Sequence, residues 1–206
     1  MSGVEMPSSV DATPKEKVLE ACAVLGRDVV VDWCADLLTG RIDSVRAVEH
    51  ESLPSLAWLG WRSVHPDAGE LTAGEAAWTP ADPVNAYWVR VWAARAFLYV
   101  WRDDVVEVLI QAASDDAWRV REHVARITAK RELGSVVPYV LPMLDDELPR
   151  VRAAAVRAIG AAGEAEHAAP LMALVDDEDQ AVRAAVSRAL DQLSRRLDRP
   201  LPLSTD

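Results

Sequence analysis

One phrase recurs at a fixed interval in the second half of the chain: Asp115-Asp116-Ala117-Trp118-Arg119-Val120-Arg121, then Asp145-Asp146-Glu147-Leu148-Pro149-Arg150-Val151-Arg152, then Asp176-Asp177-Glu178-Asp179-Gln180-Ala181-Val182-Arg183. The Val-Arg pairs stand 31 residues apart, and Val89-Arg90 extends the column back by one more step. A second column, Arg95, Arg126, Arg157 and Arg188, keeps the same register. Two columns in one register define a repeat, and a period of about 30 residues marks stacked helical units that cannot bury an apolar face alone. Half the residues are apolar, with one Phe and nine Gly, a makeup that suits helices and not a β-sandwich. The 206 residues are read as one continuous unit.

The register divides the chain. Residues 1–13 are expected to form a flexible tail, 14–61 a set of capping helices, 62–82 a Trp-bearing insertion, 83–196 the helix pairs and 197–206 a second tail. Thr13-Pro14-Lys15-Glu16 is a start signal, with Thr as N-cap, Pro at the first helical position and Glu closing a capping box. That helix runs on towards Leu38, either past a kink near Gly26 or as a second helix, so that Cys22 and Cys34 would lie about 18 Å apart on an unbroken helix. Both are read as reduced and buried. Asp43-Ser44 is predicted to start a helix through Leu59, bent at Pro54. Pro66, Gly69, Gly74, Pro80 and Pro83 break the insertion, and Trp61 and Trp78 at its ends are expected to pack it down. Asp82-Pro83 then starts the first of four second helices, at 83–101, 117–133, 149–162 and 180–196; the first helices of the pairs are read at 104–114, 135–144 and 164–175.

Net charge of -11 opposes general binding to nucleic acid, where affinity comes mainly from neutralising phosphate. The first residues carry neither a basic nor an apolar segment of a secretory signal, and no apolar run reaches membrane-spanning length. A cytoplasmic location is therefore expected.

The proline-bent first helix, the Asp-rich turn and the following Val-Arg resemble HEAT repeats, in particular the short repeats of phycobilisome-lyase-like proteins. The resemblance covers 82–196 well and 14–61 loosely. It implies an all-α, right-handed α-solenoid, and a structural ladder built by Asp115 with Arg121, Asp146 with Arg152 and Asp177 with Arg183. The first repeat departs from the pattern, with Val84 where that Asp would stand. Ankyrin and tetratricopeptide signatures are lacking.

The second arginine column points elsewhere. If Val89, Ala93 and Ala96 face the core, helical rotation sends Arg95 to the opposite side together with Trp88, Val91, Tyr99 and Arg102. Arg95, Arg126, Arg157 and Arg188, joined by Arg119 and Arg150, would then form a basic stripe, which the resemblance places on a concave face. Guanidinium groups bind carboxylate and phosphate bidentately, so an acidic or phosphorylated segment of a protein partner is the expected ligand. Trp88, Tyr99, Trp118, Trp61 and Trp78 are candidates for an aromatic cleft beside it.

Enzymatic signals are thin. Trp118 and Glu122, one turn apart beside Arg119 and Arg126, loosely resemble the site of HEAT-like alkylpurine DNA glycosylases, although that family's acid is an aspartate and the charge opposes DNA binding. No Cys/His spacing fits a metal, and no phosphate-binding loop or nucleophile elbow appears, so no cofactor is expected. The reading is a non-enzymatic interaction scaffold, with the glycosylase as the alternative.

Overall fold

The computed structural model describes residues 6–61 and 79–198. Most of the predicted insertion, with Trp78, and the end of the C-terminal tail lie outside them. The described residues form helices and turns without a strand, in two compact units, Met1–Val108 and Leu109–Asp206.

In the first unit, α1 (Pro14–Leu25) starts at the predicted capping box: Glu16 N-H donates to Thr13 Oγ1, and Thr13 N-H donates to Glu16 Oε2. The described residues before it, 6–13, pack onto the helix and are not a loose tail. Val10 is buried, and its carbonyl accepts from the buried Lys17 ammonium at 2.6 Å. An ammonium taken from water needs such an acceptor, which ties this segment to α1.

Gly26, at φ +95, ends α1 and allows a separate α2 (Arg27–Leu38) to fold back against it. The helix is thus broken, and the 18 Å estimate for the cysteines falls with it. Burial raises the pKa of both thiols, and Cys22 adds to the rise at fully buried Cys34. Asp43 caps α3 (Ser44–Glu49) by accepting from Arg46 N-H, but α3 ends at Glu49, well before Pro54. Because Pro has no N-H and restricts its predecessor, the chain resumes only as a 3-10 turn, Leu56–Leu59, whose N-cap is Ser55.

The next helix, α4 (Tyr87–Ala96), begins later than predicted, after turns over residues 80–86, and has no side-chain cap. It is buried almost all round: Val89, Val91, Trp92, Ala93, Ala94, Ala96 and the following Phe97 are all inaccessible. The expected division into a core side and an open side carrying Val91 and Arg95 therefore does not hold. The core of this unit is built on Trp58, Phe97, Leu37, Leu56 and Leu59.

The division between the units falls within α5 (Val106–Ala112). The second unit then repeats one plan. Its long helices are α6 (Trp118–Arg131), α8 (Pro149–Ala162) and α10 (Gln180–Arg196), within two residues of prediction at every end. The first helices are short and broken: α7 (Val137–Val140) lies between 3-10 turns at Gly134–Val136 and Leu141–Asp145, and α9 (Ala168–Met172) follows Ala165–His167. Pro138 and Pro142 account for the first interruption, since each lacks the N-H that a continuous helix would use.

α8 is the centre of this unit, flanked by α6 and α10 and backed by α7 and the turn after it. Val151, Val156 and Ile159 join Val120, Val124 and Ile127 of α6 and Val182, Val186 and Leu193 of α10 in the core. Small residues set the spacing: a Cβ at Gly160 would lie 2.7 Å from Ala189 Cα, too close for any side chain. With three sides covered, α8 has only Arg150 and Arg157 exposed among its 14 residues.

Candidate functional site

The recurrent acidic turns are built from local hydrogen bonds first. Asp115 Oδ1 accepts from Ala117 N-H, Asp146 Oδ1 from Leu148 N-H and Asp177 Oδ1 from Asp179 N-H, each near the otherwise unpaired start of a long helix. Six residues after each aspartate, an arginine returns to the same turn. Arg121 Nη1 donates to the carbonyls of Asp115 and Asp116, Arg152 Nη1 to those of Asp146 and Glu147, and Arg183 Nη1 to those of Asp177 and Glu178.

The rest of the guanidinium reaches forward to the next repeat. Arg121 meets Asp146 at 2.7 Å, and Arg152 grips both oxygens of Asp177 at 2.9 Å through Nε and Nη2. These carboxylates are nearly inaccessible, at 6% exposure. Arg152 accordingly holds the Asp177 carboxyl below its ordinary pKa, and Asp177 in turn raises that of Arg152. For Arg121 and Arg152 this arrangement ties one repeat to the next and leaves little guanidinium for an outside ligand, whereas Arg183, among the described residues, is held only by its own turn and is exposed.

The predicted stripe separates into three kinds of residue. Arg95 is removed from it: its side chain is partly buried, donates to the Leu59 carbonyl at 2.6 Å and has its pKa lowered by burial. It fastens α4 to the 3-10 turn, passing so close to Gly60 that a Cβ there would meet Nη2 at 2.7 Å. Arg119 and Arg150 form a second kind, stacked at Trp118 with their Cζ atoms 4.3 and 5.0 Å from its ring. Arg150 is also held by Glu122, Nη2 lying 3.2 and 3.3 Å from the two oxygens, while its side chain stays 67% exposed. Glu122 itself is 14% exposed, so its carboxylate is committed to that pair.

Arg126, Arg157 and Arg188 are the third kind. They occupy one position on α6, α8 and α10 and are exposed, and none has a hydrogen-bond or ion-pair partner among the described residues. The acids nearest in sequence are engaged with other arginines, Glu122 with Arg150 and Asp191 with Arg195 at 3.9 Å. The 31-residue spacing found these three; the helical-wheel argument failed for Arg95 because its guanidinium is taken by the Leu59 carbonyl of the 3-10 turn.

The aromatic candidates divide between the two units, and Trp78 lies outside the described residues. Trp88 lies in a run with Tyr87 and Trp92, centroids 5.3 and 6.0 Å away, and Tyr99 is half-buried. Trp61 is buried at 8% exposure, its indole N-H without an acceptor among the described residues, beside a cleft of about 340 Å³ that also touches His50 and Ser55. Trp118 belongs to the second unit, between its two arginines.

Among the described residues no group of three or more His, Cys, Asp or Glu could hold a metal ion, and no helix is long and apolar enough to cross a membrane. Residues 137–203 match the family model for HEAT repeats. No curated protein matches the chain.

Proposed function

From the match of residues 137–203 to the family model for HEAT repeats, we propose that this protein is a non-enzymatic scaffold that binds an acidic or phosphorylated segment of a protein partner through the arginines of its long helices. HEAT repeats generally mediate protein-protein contacts, so a protein partner is the coarse expectation. The observation that carries the finer reading is the row Arg126, Arg157 and Arg188, exposed and unpartnered among the described residues of a chain with net charge -11. Three like charges at neighbouring positions repel one another, and an anionic ligand relieves that repulsion while filling their free donors. Arg150, braced by Trp118 and Glu122, adds a fourth guanidinium whose geometry is set before binding.

The pair of Glu122 with Arg150 weighs against the glycosylase alternative, which needs a carboxylate available to a substrate. The test is a titration of the protein with a fluorescent Glu-rich peptide at two ionic strengths, with a duplex DNA mobility assay in parallel. The peptide is expected to bind, and about 10-fold more weakly at 0.3 M than at 0.05 M salt, because exposed charges are screened. Tight, salt-sensitive binding to DNA with none to the peptide would favour the nucleic-acid reading.

A further inference from the structure

The row also carries spacing information. α6, α8 and α10 pack side by side, and packed helices lie about 8–10 Å apart, so the row presents a cation at about that interval. The near-contact of Gly160 with Ala189 keeps α8 and α10 close.

Resting on the function proposed above, we infer that the partner segment is an extended, polyproline-II-like chain crossing the three helices, with acidic side chains at every third residue facing Arg126, Arg157 and Arg188. Three residues of that conformation advance about 9.3 Å and return the side chain to the same face, which matches the interval between the arginines. A β-strand repeats its face after two residues, about 6.6 Å, and after four, about 13 Å, and matches neither way. An α-helix repeats after seven residues at about 10.5 Å, but it would have to remain helical over about 15 acid-bearing residues, which isolated segments hold poorly in water.

The occupant is thus one class of molecule, a peptide segment bearing carboxylate or phosphorylated side chains at positions i, i+3 and i+6. The row suits it better than the neighbouring positions Arg119, Arg150 and Ala181, where Trp118 engages both arginines, Glu122 also holds Arg150, and α10 has no arginine at that position.

Fluorescence anisotropy with synthetic peptides of one composition tests this on the full chain. Each peptide carries three Glu in a Pro/Ala background, spaced by two, three, four or seven residues. The three-residue spacing is expected to bind about 10-fold more tightly than the others, with Arg157→Glu and the milder Arg157→Gln both erasing the preference. Three phosphoserines at that spacing are expected to show the same preference. Equal affinity at all spacings, or the best affinity at seven, overturns the inference and leaves the proposed function standing. Failure of every acidic peptide to bind overturns the proposed function itself.

Discussion

Replacing Arg152 by alanine is expected to lower the free energy of unfolding by about 3–5 kcal/mol, the range for removing one partner of a buried ion pair. The loss would be read as a fall in the urea midpoint at unchanged slope. Arg152 is 9% exposed and makes two hydrogen bonds to Asp177 while binding the carbonyls of Asp146 and Glu147. Its removal leaves the Asp177 carboxylate with the Asp179 N-H and little water. Arg152→Lys keeps the charge but not the fork, and is expected to recover only part of the loss.

The ladder also has a pH signature. The folded-state pKa of Asp177 lies below its ordinary 3.8, chiefly through the bonds from Arg152. A depressed carboxyl contributes stability that is present above the unfolded value and lost as pH falls through the folded one. The difference between wild type and Arg152→Ala is therefore expected to be full at neutral pH and to shrink progressively below pH 3.8. A difference that stays constant down to pH 2, or a variant as stable as wild type at pH 7, would remove the ladder from the account.

The second large effect concerns binding. Reversing Arg126, Arg157 and Arg188 together to Glu is expected to weaken an acidic peptide by about 100-fold, since each site turns a charge-assisted contact into repulsion. All three are exposed without partners among the described residues, so the unfolding midpoint is expected to stay near that of wild type. The same reversal at Arg121, Arg152 and Arg183 attacks the ladder and should unfold the repeats instead. This contrast is expected to separate the two arginine columns by their consequences, one holding the protein together and the other meeting the proposed partner.

How far these roles could be read from sequence depended on the kind of signal. The 31-residue period located α6, α8 and α10 because each begins at an acidic turn that recurs with the core valines. It also located both arginine columns. It did not reveal that Arg121 and Arg152 each reach the aspartate 25 residues ahead, because the partner is set by how neighbouring turns stack. Arg95 was misplaced for a related reason. A helical wheel presumes one wet side, whereas Val91 on that side is buried and Arg95 is consumed by the Leu59 carbonyl. The early helix breaks were only half legible, with Gly26 open to either a kink or a turn and Pro54 read as a bend within a helix that ends at Glu49. The aromatic residues carried no partner information, since bulk and helical spacing are equally compatible with a core and with a cleft.

The most direct test of the account sets local charge against total charge. A molecule of net charge -11 attracts a basic peptide and repels an acidic one at long range, unless a local surface reverses the preference. Affinities of wild type for two peptides of equal length, one bearing Glu and the other Lys at the same three positions, would be measured at low salt. The expected result is tighter binding of the acidic peptide, with the preference inverted in the Arg126→Glu, Arg157→Glu, Arg188→Glu protein. A wild-type preference for the basic peptide, unchanged by the reversals, would contradict the claim that this arginine row is the partner-binding surface.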